Sequence, residues 1–121
     1  MSKTDFTNLR LKHVVWSVNL EDFLKGNKGS MTEDQAINHK ACDFGKWLYS
    51  VGMKKYGDLP KIQELEKIHV QLHANVKKII LLKESGDTTS EKEELANLDK
   101  ILRKIMFLLV DIEENLILNR R

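Results

Sequence analysis

Apolar residues recur along this chain in steps of three and four, and no segment alternates with period two. That is the spacing of helical faces, so every predicted element is a helix. The first runs from about Thr4 to Lys25, with Phe6, Leu9, His13, Trp16, Leu20 and Phe23 along one face. Gly26-Asn27-Lys28-Gly29-Ser30 breaks it. The second starts at Thr32, where Gln35 completes a capping box, and ends near Gly52. Gly57-Asp58-Leu59-Pro60 opens the third, with Pro60 suited to a first turn. Its stripe is Ile62, Leu65, His69, Leu72, Val76 and Ile79, and Ser85-Gly86-Asp87 ends it. Thr88 or Ser90, each with a glutamate three residues on, caps the fourth. That helix carries Leu95, Leu98, Leu102, Ile105, Leu109, Ile112 and Leu116. The expected fold is all-α, an antiparallel four-helix bundle forming one domain over residues 1–121.

Some apolar residues fall outside these stripes. Leu11, Val14, Val15 and Val18 do so on the first helix, and Ile101, Met106, Phe107, Leu108 and Val110 on the fourth. One core does not easily absorb both sets, so a homodimer through these two helices is expected. A wide core or a missing neighbouring domain would also account for them.

Charge narrows the function classes. Acidic and basic residues are interleaved and the formal net charge is +2. There is no nucleic-acid footprint and no basic membrane-binding helix. The longest apolar run, Ile105 to Val110, is far too short to span a bilayer. The opening Met1-Ser2-Lys3-Thr4-Asp5 carries no signal-peptide core. One cysteine excludes an internal disulfide and suits a reducing compartment, so a cytoplasmic location is expected.

Four residues carry the candidate chemistry. His13 and His69 each occupy a stripe position where leucine is the ordinary choice. His73 follows His69 by one helical turn, so both rings project from the same side. Cys42, the single thiol, lies on the second helix. Taken one at a time, each has an ordinary reading as a hydrogen-bonded core histidine or a small buried thiol. Together they point to a buried four-ligand metal centre, since uncompensated burial of several polar rings is costly. One sulfur with three imidazoles favours Zn²⁺. Gly45 stands three residues after Cys42, where a neighbouring helix or large side chain would approach the thiolate. Trp16 and Trp47 either cover the site or are plain core aromatics. Asp43 and Glu66 are candidates to orient ligand imidazoles, with a solvated surface carboxylate as the alternative. His39, one turn before Cys42, is expected to face solvent or to stand behind the ligands.

The motifs themselves are His13-Val14-Val15-Trp16, His39-Lys40-Ala41-Cys42-Asp43-Phe44-Gly45-Lys46-Trp47-Leu48, Tyr56-Gly57-Asp58-Leu59-Pro60 and His69-Val70-Gln71-Leu72-His73. This set resembles the chemoreceptor zinc-binding domain family, with Cys-x-Phe-Gly-Lys-Trp as its most specific part. The resemblance implies zinc bound by His13, Cys42, His69 and His73. It also implies a sensory module of bacterial chemoreceptors or diguanylate cyclases, linked to zinc and to oxidants such as hypochlorous acid. Output modules of that kind work as dimers. Neither a methyl-accepting coiled coil nor a cyclase motif is present in the chain.

Other functions fit less well. Glu66-Lys67-Ile68-His69 is a single Glu-x-x-His unit, whereas a di-iron carboxylate site needs two. A hemerythrin-like oxygen carrier needs more than four histidines. A zinc hydrolase keeps an open water position and a general base, and no His-Glu-x-x-His is present. The expected function is therefore a non-enzymatic zinc- or oxidant-responsive regulator with Cys42 as the redox-active group. It would act on a chemotaxis or cyclic-di-GMP output module. The alternative is a structural, zinc-stabilised dimerisation module.

Overall fold

The computed structural model describes residues 3–27, 29 and 31–118, with side chains described for 7–27, 29 and 31–115. Phe6 and Leu116, assigned above to two stripes, lie outside the described side chains, and Lys28 and Ser30 lie outside the described residues. Every regular element among the described residues is helical. They are α1 (Lys3–Leu24), α2 (Glu33–Ile37), α3 (Asp43–Trp47), a π-helical turn (Leu48–Gly52), α4 (Met53–Tyr56), α5 (Pro60–Ser85) and α6 (Thr88–Leu118). α2, α3, the π-turn and α4 follow one another as a single broken leg, so the architecture is a four-helix bundle with three continuous legs.

The long helices form where the periodicity places them. α1 buries Leu9, His13, Leu20 and Leu24 and half-buries Trp16 and Phe23. α5 starts with Pro60 in its first turn and buries Ile62, Leu65, Ile68, His69, Leu72, His73, Val76 and Ile79. It stops at Gly86, whose φ of 78° is left-handed and whose N–H donates to the Lys83 carbonyl. The two-residue link turns the chain straight back into α6. Lys61 then pairs with Asp111, Lys104 with Glu64, and Lys78 with Glu94. Partner numbers fall along α6 as they rise along α5, so these two legs are antiparallel. α1 is antiparallel to α6 as well: Thr7 and Arg10 reach the buried Glu113, whereas Val18, further along α1, lines a groove with Leu95 and Leu98, further back along α6.

The second leg departs from its expected form. It was expected as one helix from Thr32 to Gly52, but it is interrupted at residues 38–42. Its start is as expected: Thr32 and Gln35 form a capping box in both directions. The interruption comes from Asn38, whose side-chain oxygen accepts from the Lys40 N–H at 3.0 Å. That local bond gives the backbone an alternative to the helix ladder. Asn38 itself is extended (φ −102°, ψ 111°).

Two further expectations change on α6. Its cap is Asp87, which accepts from the Ser90 N–H at 3.1 Å, and not Thr88 or Ser90. Asp87 stands one residue upstream of Thr88 and three upstream of Ser90, and aspartate is a better N-cap than threonine. The stripe also shifts: Leu108 is buried while Leu95 is exposed. Leu95 lines an open groove of about 480 Å³ between α1 and α6, with Val18, Leu98 and Leu102. Leu11, Val14, Val15 and Val18 are exposed on α1, and Phe107, at 74 % exposure, projects from α6. No helix among the described residues is long and apolar enough to cross a membrane.

Candidate metal centre

α5 places His69 and His73 one turn apart on its buried face, where they are 2 % and 1 % exposed. Their Nε2 atoms face each other at 3.1 Å, with the ring planes at 84°. His73 donates from Nδ1 to the Ala36 carbonyl on α2 at 2.8 Å. A neutral ring that donates from Nδ1 carries its lone pair on Nε2. His69 Nδ1 is buried with no partner, so this ring has its polar contacts through Nε2 alone.

The break in the second leg brings in the sulfur. Cys42 is not inside a helix, as the sequence suggested; it is the N-cap of the five-residue α3. Its Sγ accepts from the Gly45 N–H at 3.3 Å. A helix N-terminus favours negative charge, which a thiolate supplies. From there Sγ lies 3.2 Å from His69 Nε2 and 3.5 Å from His73 Nε2. Gly45 is required at its position. A Cβ there would collide with the His39 backbone carbonyl and would sit 3.2 Å from the His69 ring. The close neighbour is therefore the returning chain of the turn itself, together with a ligand ring.

Cys42, His69 and His73 thus present three donor atoms within 4.8 Å of one another, all buried. An ion with Zn–N of about 2.0–2.1 Å and Zn–S of about 2.3 Å spaces tetrahedral donors roughly 3.3–3.6 Å apart. The observed 3.1, 3.2 and 3.5 Å differ from that by a few tenths of an ångström. The side chains fit a metal ion of this kind, and the unpartnered His69 Nδ1 leaves Nε2 free for it.

His13 is not in that group. Its ring is 4 % exposed and lies beside the Leu102 carbonyl of α6. It stacks on Trp16 (centroids 6.5 Å) and meets Phe44 edge-on at 6.3 Å. It nevertheless lines the same cavity of about 380 Å³ as Cys42, His69 and His73. Trp16 lies 5.2 Å from His73 and Phe44 lies 4.8 Å from His69, so both cover ligand rings. Trp47 packs instead over Gly52, where a Cβ would meet its ring at 2.8 Å. Half-buried His39 lies edge-on to Tyr49 and 6.2 Å from the His69 ring.

Neither carboxylate candidate orients an imidazole. Glu66 lies beside Tyr49, whose hydroxyl is pushed up mainly by burial and further by this carboxylate, and His69 Nδ1 is left without a partner. Asp43 is exposed at the cavity rim, where its charge adds a little to burial in pushing the Cys42 thiol up. Backbone does the orienting, through the Ala36 carbonyl on His73. No residue type announces that role in a sequence, because every residue has a carbonyl. Phe44 was legible as part of the Cys-x-Phe-Gly motif. Met31, on the cavity wall, carried no signal.

Electrostatics follow from burial. Desolvation holds His69 down at about 3, helped by the neighbouring His73, His39 and His13. It holds His73 and His13 at about 4, each partly offset by its carbonyl partner. Burial also pushes the Cys42 thiol up, against the backbone N–H groups of α3. All three imidazoles are therefore neutral donors at pH 7, the form that metal binding needs.

Comparison with curated proteins gave no match, and comparison with solved structures gave none. The family comparison did: residues 13–80, more than half of the chain, match the chemoreceptor zinc-binding domain. Cys42, His69 and His73 all lie within that span, and this protein belongs to the chemoreceptor zinc-binding domain family.

Proposed function

We propose that this chain is a bacterial regulatory sensor that responds to zinc availability, to oxidants such as hypochlorous acid, or to both. Its output is a chemoreceptor or a diguanylate cyclase module. The observation that carries this reading is the position of the single thiol. Cys42 is buried among the donors, yet caps a five-residue helix in the one leg made of short pieces.

Cys42, His69 and His73 would hold the ion, with His13 closing the set from the cavity wall. When bound, zinc supplies a positive charge that keeps Cys42 a thiolate at neutral pH. The thiolate sulfur then attacks the chlorine of hypochlorous acid, and hydrolysis leaves a sulfenic acid and chloride. Sulfur loses two electrons and chlorine gains them. A sulfenic acid is a poor zinc ligand, so α3 loses its metal-mediated link to α5 and keeps only the packing of Phe44 on His69. Metal loss without oxidation gives the same release.

Stepwise hypochlorous acid is expected to release zinc in proportion to the loss of Cys42 thiol, read by a chromophoric zinc indicator and thiol titration. Oxidation confined to methionines, with zinc and thiol retained, would remove the oxidant arm.

Homodimerisation is part of the same reading. The exposed Leu11, Val14, Val15 and Val18 on α1 and Phe107 on α6 support it, although Leu108 belongs to the core of one chain. Light scattering is expected to give a dimer that Val14→Asp dissociates. A monomer at high micromolar concentration would rule the pairing out.

A further inference from the structure

One nitrogen of His69 is left over by the centre described above. Its Nε2 faces Cys42 Sγ at 3.2 Å and His73 Nε2 at 3.1 Å. Its Nδ1 is buried and has no hydrogen-bond partner. With Nε2 on a metal ion, the proton of the neutral ring sits on Nδ1, and a buried N–H calls for an acceptor. His73 has one in the Ala36 carbonyl, so the two neighbouring rings differ in this respect.

Among the described residues, His69 has ring contacts with Phe44, His73 and His39. Phe44 has no acceptor. Both nitrogens of His73 are engaged, one with Ala36 and one with the donor group. His39 remains, and its ring nitrogens carry no hydrogen bond among the described residues. It belongs to the same turn 38–42 as Cys42 and is half-buried. A Cβ on Gly45 would strike the His39 carbonyl and sit 3.2 Å from His69 Cε1, the carbon between the two ring nitrogens. The turn therefore passes beside the edge that joins Nε2 to Nδ1.

The distances allow a bond. Imidazoles joined by an N–H···N bond of about 2.9 Å stand roughly 5.2 Å apart between centroids. His39 and His69 are 6.2 Å apart, so about 1 Å remains to close. Their planes cross at 82°, which such a bond tolerates, since each plane needs only to contain the N–H···N line. Tyr49 of the π-turn packs edge-on to His39 at 5.7 Å and limits where that ring can go. We propose that His39 is the positioning residue for His69: a ring nitrogen of His39 accepts the Nδ1 proton of His69 when Nε2 holds the ion. This rests on the metal-binding reading given above. The turn 38–42 is then fixed to α5 twice, through the ion on Cys42 and through this bond.

The test combines ¹⁵N NMR of the histidine rings in zinc-loaded protein with zinc competition against a chromophoric indicator. His69 Nδ1–H is expected to exchange slowly and to show a through-bond N–N coupling to a nitrogen of His39. His39→Phe keeps an aromatic ring against Tyr49 but has no acceptor, and should lower zinc affinity by about tenfold. His39→Gln restores an acceptor and should return affinity to within about threefold of wild type. Circular dichroism checks that both variants stay helical. Wild-type affinity in His39→Phe overturns the proposal, as does the absence of the His69–His39 coupling in the unaltered protein. Glu66, three residues before His69 on α5, is the rival acceptor. Loss of the slow Nδ1 proton in Glu66→Gln, with that proton kept in His39→Phe, assigns the role to Glu66 and overturns the proposal too. A wild-type protein that binds no zinc at all is a separate result. It refutes the metal-binding reading, and this proposal with it.

Discussion

Replacing Cys42 with alanine is expected to lower zinc affinity by more than about a hundredfold, because loss of a mere supporting residue already costs roughly 10- to 100-fold. Cys42 is the only anionic donor that the three-atom group can offer; His69 and His73 are neutral. Removing it leaves a divalent ion on two imidazoles in a buried cavity, without charge neutralisation. The substitution also removes the Sγ acceptor for the Gly45 N–H, so α3 loses its cap. Competition against a chromophoric indicator measures the first effect, and circular dichroism separates it from unfolding. His39→Ala is the control. Its ring touches Tyr49 and lies outside the donor group, so affinity should fall far less. Equal affinity in Cys42→Ala and wild-type protein would refute the proposed coordination.

The metal-free protein is expected to lose stability steeply as pH falls from about 6.5 toward 4. Each of His13, His69 and His73 titrates near 6.5 when unfolded, but at about 4, 3 and 4 in the fold. Between those values the unfolded chain binds protons that the folded chain refuses. Stability therefore rises with pH across this window and levels off above it, where the rings are neutral in both states. Each ring contributes up to about 1.4 kcal/mol per pH unit. The three share one site and repel one another's protons, so their effects couple. Against a typical total of roughly 5–15 kcal/mol, this is enough to unfold the domain in mild acid. Urea midpoints measured in chelator at pH 7, 6 and 5 should fall at each step. A flat profile would mean that the three rings are hydrated in the fold and do not form a closed site. His73→Leu should flatten the slope, since it removes one of the buried bases.

Much of this protein is legible in its sequence, for identifiable reasons. Three of the four legs follow from three-and-four spacing. Pro60 and Gly86 bound α5 as their backbone preferences dictate. Histidines at core positions are conspicuous because an unpartnered imidazole is costly there, so His13 and His69 stand out, and His73 follows from its one-turn spacing to His69. The Thr32–Gln35 capping box is likewise a local matter.

Tertiary structure decided the rest. Asn38 broke the second leg because a short side chain outcompeted the helix ladder, and that break turned Cys42 into a helix cap aimed at α5. Gly45 is glycine because the chain of the turn comes back over it, a contact between residues that periodicity alone places on one continuous helix. The group that orients His73 is the Ala36 carbonyl, and backbone groups leave no trace in residue identity. Which apolar residues face inward on α6 was also settled by its neighbours. Leu95 stays exposed in the groove beside α1 while Leu108 is buried, and only the packed helices fix that difference. Local spacing thus determined which residues could serve as donors. The packing of separate helices determined which three converge, and left His13 on the cavity wall outside their group.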